Sequence, residues 1–599
     1  MVKADFVFEV SYEVCNKVGG IYAVLKTKAP YMVEEYGEGY FVVGFYDERK
    51  ARIEFEEKKP PEPFAKVFDS LKQDGITCYY GEWIIPGRPK TILVDSRKFM
   101  GEANNIKKNL WDYAKVDSLH ADNTFIEPVV WSIAVGKILE GLVKSPSYKS
   151  KKVVAQFHEW LAGAGILYLK QRGAKIATVF TTHATMLGRS LAGSGIDIYT
   201  MIKEKTPSET ILDYARRYGV IDKHSLELAC SVNADVLSTV SLVTAEEVAF
   251  FWGRKPDVVL MNGIDSEKYL GFEELTIQRR QNRIQMREFL SSYFLRYYSL
   301  DLMNIRSFFI SGRYEFRNKG LDVFIAALGK LNTMLKEKKS DRNVIAFIFV
   351  PAGIRGENIQ VLKNKSLYEE IEDHVQEATP EISNNIINKI LAGGKCTECA
   401  DVIPEDFRQT CKKLSAHFLE KRGATPPLCA FELTIPEDQD EIIRTLKFNG
   451  LLNRENDKVK VIYYPAYLSS ADRLISLDYS DATITCDAGI FPSYYEPWGY
   501  TPVETAAQGS LAVTTDQAGF GRFIDGKGDG IYVLKRMDRA WDETVKDLAE
   551  KLYEITTLSK EKLSKRRMNA KELSQLTDWR EFMKNYVAAH NTAIKKTYK

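Results

Sequence analysis

Two carboxylates, an aromatic ring and a glycine crowd one short stretch, Gly489–Gly509, which reads GIFPSYYEPWGYTPVETAAQG. Ile490 and Phe491 close an apolar run, Pro492 and Ser493 turn the chain, and Glu496 follows. Glu504 comes eight positions later, inside the helix-compatible run TPVETAAQG. In open α/β sheets ligands bind at such a strand-to-helix edge, and the first helical turn offers unpaired N–H groups to an anion. Two carboxylates suit a glycosidase-type acid and nucleophile, but such pairs are defined by distance and not by spacing in sequence. The plainer alternative is two surface glutamates near a helix start, where negative charge is welcome. Glu504, a turn or more into the helix, would serve as an acceptor for hydroxyls. Trp498 either stacks on a sugar or fills core.

Cations of the right kind lie elsewhere. Arg313 and Lys319 sit in SGRYEFRNKG, between a strand and a helix. Two flexible cations at a strand end match what a leaving diphosphate needs as its negative charge builds. Arg317 is close enough to share the role, and a solvated basic loop is the alternative. The loop lacks GxxxxGK[ST], so it is not an ATPase phosphate cradle. His183 and Arg189 occupy TTHATMLGR, just past an apolar strand. A neutral histidine can donate to a hydroxyl or carbonyl oxygen through one ring nitrogen; alone, it is as readily structural. His158 and Glu159 share that ambiguity. Gly19 and Gly20 fall where the first strand meets a helix starting near Ile21. Paired glycines let backbone approach a ligand, or simply make a tight turn. Lys17 beside them could offer a point charge to a phosphate. GxGxxG is absent, so there is no dinucleotide fingerprint.

The elements that must position these residues alternate between strand and helix. Apolar runs at 5–10, 40–46, 91–96, 152–158, 174–182, 234–240 and 257–262 read as strands with helices between them. Residues 47–90 are charged, contain proline and read as hairpin-like. A second set of strands runs through 306–311, 343–350, 458–466, 489–493 and 510–516. This succession predicts a doubly wound α/β fold. We expect an N-terminal domain at 1–265, a long amphipathic helical segment at 266–305, a C-terminal domain at 306–545, and closing helices at 546–599. Residues 351–450 show little strand signal and read as a mostly helical insertion. Trp579 and Tyr586 are the expected anchors of the last helices. The apolar side of 273–303 needs a partner, from another domain or another subunit.

Composition narrows the function classes. A chain of 599 residues exceeds the roughly 250–300 that one core supports, so two large domains are expected. Basic residues number 83 and acidic ones 81, which argues against a dedicated nucleic-acid or membrane surface. The N-terminus lacks the pattern of a signal peptide, and no run approaches about 18 uncharged apolar residues. Eight cysteines make no disulfide scaffold, so a reducing, cytoplasmic setting is expected. Cys396-x-x-Cys399 could chelate a metal, with His417 as a further ligand. The spacing to Cys411 and Cys429 fits no standard finger, and reduced structural cysteines are the preferred reading.

FPSYYEPWGYTPVE, TTHATMLGR, SGRYEFRNKGLDVF, NKVGGIYAVLKTKAP and LDYARRYGVIDKHSLE together resemble the glycogen synthases of the animal and fungal type. The resemblance runs from about residue 5 to about 590. It implies a GT-B architecture: two Rossmann-like domains facing a deep cleft, with the last helices crossing back onto the first. It implies a retaining glucosyltransferase that extends α-1,4-glucan at the non-reducing end from UDP-glucose, with no metal and no tightly bound cofactor. By motif, Lys17, Gly19 and Gly20 would lie by the donor. His183 would hydrogen-bond its glucose, and Arg189 would help hold the diphosphate. Arg313 and Lys319 would bind the UDP phosphates, and Tyr479 would stack on uracil. Glu496, Trp498, Gly499 and Thr501 would line the glucose and phosphate pocket, and Glu504 is the second glutamate of the E-x7-E signature. Partners would be glycogen or another α-1,4-glucan and, in a homotetramer, further copies of the chain.

The chain also departs from that family. Asn569 and Glu572 stand where an ungapped reading back from Trp579 expects arginines for glucose 6-phosphate. Glu273 and Tyr464 take the places of two histidines by the same ligand. Little glucose 6-phosphate activation is therefore expected. Without Ser-rich tails, control by phosphorylation is not expected either. Two other readings stay open: a related enzyme using ADP-glucose or a different acceptor, and a non-catalytic glucan-binding scaffold.

Overall fold

The computed structural model describes residues 3–393 and 402–598. Its first sheet contains β1 (Phe6–Val10), β2 (Tyr40–Phe45), β3 (Phe55–Glu57), β4 (Thr77–Trp83), β5 (Lys90–Asp95), β6 (Val153–His158), β7 (Ala177–Thr182), β8 (Val236–Thr239) and β9 (Val258–Val259). They are ordered β3-β4-β5-β2-β1-β6-β7-β8-β9. From β5 to β9 all pairings are parallel, and β4 and β3 extend the edge in antiparallel sense. The central strands are apolar runs buried on both faces, as parallel strands flanked by helices must be.

The second half contains β10 (Ile305–Ser311), β11 (Asn343–Phe349), β12 (Ile354–Glu357), β13 (Phe431–Leu433), β14 (Val459–Tyr463), β15 (Ala488–Ile490), β16 (Leu511–Thr515) and β17 (Ile531–Leu534). Its parallel sheet is ordered β14-β11-β10-β15-β16-β17. Counted within this half, that is the Rossmann order 3-2-1-4-5-6, with its switch point between β10 and β15. The first sheet follows the same winding about β1 and β6. These two switch points fix where the loops of the site emerge.

Two expectations change. Residues 47–90 are more than a hairpin: helices Glu48–Glu54 and Glu62–Lys72 alternate with β3 and β4. Within 351–450 a 33-residue helix, Ile359–Leu391, dominates, yet β12 and β13 pair as an antiparallel ribbon. Those strands are four and three residues long, too short to show alternation in sequence. The apolar side of the Phe272–Phe294 helix packs on the second half of the chain, one of the two partners expected for it, while Ile277 and Ile284 stay exposed. Met286, Phe289, Leu290, Tyr293 and Phe294 pack on Phe309, Phe347 and Tyr464 of the second half.

The last helix, Trp579–Thr597, joins the halves. Trp579 is fully buried and its indole N–H donates to Thr27 Oγ1 at 3.0 Å. Tyr586 and Ile594 share a core with β1 and β2, while Phe582 packs edge-on against Trp498. Polar contacts cross elsewhere: Arg522 meets both oxygens of Glu246 at 3.2 Å, and Lys203 pairs with Asp538 at 2.7 Å. Among the described residues no helix is long and apolar enough to cross a membrane.

Candidate active site

The loops that leave β10 and β15 flank the switch point of the second half. The first carries Arg313 and Lys319, the second Glu496. Lys319 Nζ donates to Glu496 Oε2 at 2.5 Å, each side chain 21% exposed. Backbone bonds clamp the Glu496 loop: Gly519 N–H donates to Glu496 O and Phe520 N–H to Trp498 O. Gly499 then turns the chain at φ +101°, a conformation L side chains rarely adopt, and the helix Tyr500–Ala507 begins. Arg313 forms no ion pair with Glu496. Its side chain is 70% exposed and pairs with Glu315 at 2.8 Å.

Trp498 does not present a face to the cleft. It is 3% exposed and touches Phe520, Phe523 and Phe582, which is the core-filling alternative. Thr501 lies half-buried in the first turn of the Tyr500–Ala507 helix. Tyr479 opens the Tyr479–Thr485 helix, half-buried, with its hydroxyl 2.6 Å from Ser311 Oγ at the end of β10. Glu504 makes no side-chain hydrogen bond within the described chain and lies in the electrostatic field of Tyr269, Tyr479 and Tyr500. Burial alone pushes its carboxyl up to about 7.

Across the cleft, the first half supplies loops after β1, β6 and β7. Gly19 and Lys17 are exposed there, and Gly20 starts the Gly20–Tyr36 helix. The helix start is not vacant: Glu13 accepts from Gly19 N–H at 2.8 Å and Tyr22 N–H at 2.9 Å. His183 is 8% exposed. Its Nε2 lies 2.9 Å from His158 Nδ1, and His158 Nε2 lies 2.7 Å from Glu9 Oε1. Glu9 also accepts from Lys28, and from Tyr40 at 2.5 Å. Burial would raise the Glu9 pKa, but Lys28 and His158 outweigh it and hold the carboxyl far below its usual range.

Residues 183–186 hang from three buried glutamates. Glu159 accepts from His183 N–H (2.6 Å) and Ala184 N–H (3.2 Å), Glu247 from Thr185 N–H (3.0 Å), and Glu227 from Met186 N–H (3.0 Å). Burial lifts Glu159 and Glu247 to about 7 and Glu227 well above its ordinary value. Glu159 itself sits at φ +65° at the start of its helix, a strained backbone for a non-glycine residue. Tyr495, from the second half, donates to Glu247 at 3.1 Å. Arg189 lies among both halves. Burial lowers its pKa, but Tyr495, Glu159, Glu315 and Glu496 together raise it. The structure thus brings Glu496, Lys319, Arg189 and the His183 loop to one cleft.

Glu9, Lys28, Glu227, Glu247 and Tyr495 were not singled out from sequence. The available signal was charge inside apolar elements, Glu9 in FVFEV above all. Tyr464 does not lie beside Glu273, the other position expected at the glucose 6-phosphate. It packs on Phe289 at 6.5 Å, 16 residues along the helix from Glu273, a separation of about 24 Å. The two cannot share one sugar phosphate. Cys429 is buried and free, Cys411 is free, and Cys396 and Cys399 lie outside the described residues. Among the described residues no group of three or more His, Cys, Asp or Glu could hold a metal ion.

Two Rossmann-type halves, with phosphate-compatible cations on one side of a cleft and a pinned histidine loop on the other, define a glycosyltransferase of the GT-B class. The starch synthase IV catalytic domain of Arabidopsis thaliana, solved with ADP and acarbose, shares this fold. Its TM-score is 0.52 at 13% identity, covering 99% of this chain and 100% of that one. The glycogen synthase family profile matches residues 9–599, and the chain belongs to that family. It is 34% identical over 606 residues to the glycogen (starch) synthase of Neurospora crassa, covering 100% of this chain and 85% of that protein. To the human liver glycogen (starch) synthase it is 32% identical over 603 residues, covering 100% and 84%.

The raised Glu504 pKa gives a stability prediction. Its folded value, about 7, lies above the ordinary 4.5, so ionisation in the folded state is disfavoured. Wild-type stability should therefore fall as pH rises from about 4.5 to about 7, while Glu504→Gln escapes that loss. The variant should be more stable at pH 8 by at most about 3 kcal/mol, and indistinguishable at pH 4.5. Denaturant midpoints at both pH values measure this; equal differences at the two would contradict it.

Proposed function

We propose that the chain transfers glucose from UDP-glucose to the non-reducing-end 4-OH of an α-1,4-glucan, with retention of configuration. The observation that supports it best is the convergence of Lys319 and Glu496 with Arg189 and the His183 loop across one cleft, in a chain of the glycogen synthase family. Residues 306–545 would carry most of the nucleotide site, and 1–265 the acceptor side.

The chemistry follows from the charges. UDP is already a good leaving group, so no strong acid is required. Lys319, Arg313 and Arg189 would stabilise the departing diphosphate electrostatically. Arg313 would turn from Glu315 toward the phosphates. Glu496 would bind sugar hydroxyls or stabilise the oxocarbenium-like charge. The acceptor hydroxyl would approach on the face that UDP leaves, and a freed phosphate oxygen would take its proton. Tyr479 would stack on the uracil, and Glu504 would accept from donor hydroxyls. Closure of the cleft would exclude water as a competing acceptor.

Lys319→Ala and Arg313→Ala should each lower kcat by about 10²–10³-fold, some 3–4 kcal/mol, with little change in glucan affinity. UDP release with and without glycogen measures the first, and glycogen co-sedimentation the second. Equal loss of turnover and glucan binding would contradict the assignment. No release with either UDP-glucose or ADP-glucose would favour a scaffold, and preference for ADP-glucose would move the donor.

Glucose 6-phosphate should activate little. Arg567 of the Lys560–Ser574 helix is tied to buried Asp487, as is Arg283 at 2.8 Å. Arg279 donates to the carbonyls of Ile484 and Gly509. Activation of several-fold at low donor concentration would contradict this. The protein should also be a cytoplasmic homo-oligomer, with a tetramer expected. Exposed Ile386, Ile387 and Ile390 near the end of the Ile359–Leu391 helix, with Ile277 and Ile284 of the Phe272–Phe294 helix, offer apolar surface for such an assembly. Sedimentation velocity at micromolar concentration should show an assembly; a monomer throughout would refute it.

A further inference from the structure

The hydrogen-bond chain behind His183 has a direction, and that direction sets what the cleft presents to a sugar. It crosses three adjacent strands. Glu9 is on β1, His158 ends β6, and His183 directly follows β7; β6 pairs with both neighbours in parallel register. At one end, the Glu9 carboxylate can only accept. It accepts hydrogen bonds from the Lys28 ammonium and the Tyr40 hydroxyl, and both Glu9 and Lys28 are fully buried. His158 Nε2, 2.7 Å from Glu9 Oε1, must therefore carry a hydrogen.

Burial disfavours a doubly protonated His158, with the Glu9 hydrogen bond opposing that effect. Its Nδ1 then holds a lone pair, and His183 Nε2 at 2.9 Å must donate to it. The second nitrogen of His183 is left without a proton. That Nδ1 makes no hydrogen bond among the described residues, and it is not a sealed, orphaned atom. Glu159 holds the His183 and Ala184 N–H groups, so the backbone under the ring is fixed as well.

We propose that Glu9 and His158 are positioning residues that lock His183 in its Nε2–H tautomer, so that its Nδ1 meets a donor-sugar hydroxyl as a hydrogen-bond acceptor. This reverses the direction expected from sequence, where His183 was read as able to donate. It deepens the donor-site reading above and rests on it. An acceptor selects a neutral sugar that brings its own O–H. A uronate carboxylate at that position would face a lone pair and be rejected. A neutral ring also adds no positive charge beside a sugar that becomes cationic as UDP leaves.

Selective ¹⁵N labelling of the seven histidines reads the tautomer directly. His183 is assigned by the resonance lost in His183→Asn. At pH 7.5 the wild type should show a neutral His183 with its proton on Nε2. His158→Phe, which cannot accept, should abolish that preference and lower kcat/KM for UDP-glucose at least tenfold. His158→Gln, whose amide can accept from His183 and donate to Glu9, should restore the Nε2–H signature and part of the activity. Glu9→Gln, whose amide oxygen would keep the place that Lys28 and His158 share and whose NH2 would face the Tyr40 hydroxyl, should keep the His183 Nε2–H signature and the preference for UDP-glucose over UDP-glucuronate. If Glu9→Gln does not fold, the His158 pair still decides. A wild-type His183 that is protonated on Nδ1 or cationic overturns the proposal, as does a His158→Phe spectrum and kcat/KM equal to wild type. Failure of the donor-site reading looks different: no transfer from UDP-glucose, with the tautomer spectrum unchanged.

Discussion

The cations of the cleft are neutralised by the chain itself before any ligand arrives. Lys319 holds Glu496, Arg313 holds Glu315, and Arg189 lies in the field of Glu159, Glu315 and Glu496. Partly buried charges such as Lys319 and Glu496 are costly unless compensated, so this cleft needs internal counter-ions. The geometry of the second sheet makes this arrangement possible. Its switch point places the loops after β10 and β15 side by side, one basic and one acidic. An entering diphosphate would compete with glutamates for the same cations, which ties donor binding to release of Glu496 toward the sugar.

The opposite wall solves a different problem with the same residue type. The N–H groups of residues 183–186 would otherwise be unpaired donors at a helix start. Glu159, Glu247 and Glu227 take them all, and Glu13 does likewise for Gly19 and Tyr22. These carboxylates fix backbone and occupy N–H groups that would otherwise be open to an anion. Tyr495 donates to Glu247 across the cleft, so the loop that carries Glu496 is registered against the loop that carries His183. Behind both, Trp579 and Phe582 of the last helix pack one half against the other.

Much of this was legible in the residues. Apolar runs ending in Gly, Pro or charge located the parallel strands, and the Glu496, Arg313 and His183 loops fell at their ends. What periodicity could not give was sheet order, and hence which loops are neighbours. Trp498 shows the limit at one residue: an indole next to Glu496 suits a sugar face, but Phe520, Phe523 and Phe582 come from distant segments and enclose it. Glu9 shows the converse. A carboxylate among Phe and Val in β1 was visible, yet its meaning depended on Lys28, Tyr40 and His158 closing around it in space. The short β12 and β13 ribbon left no pattern to read.

A crystal structure of the complex with UDP tests the central claim most directly. The account predicts the diphosphate bound between the loops after β10 and β15, contacted by Lys319 and Arg189, with Arg313 turned in from Glu315. A nucleotide bound elsewhere, with Lys319 still closed on Glu496 and Arg313 still closed on Glu315, would contradict it.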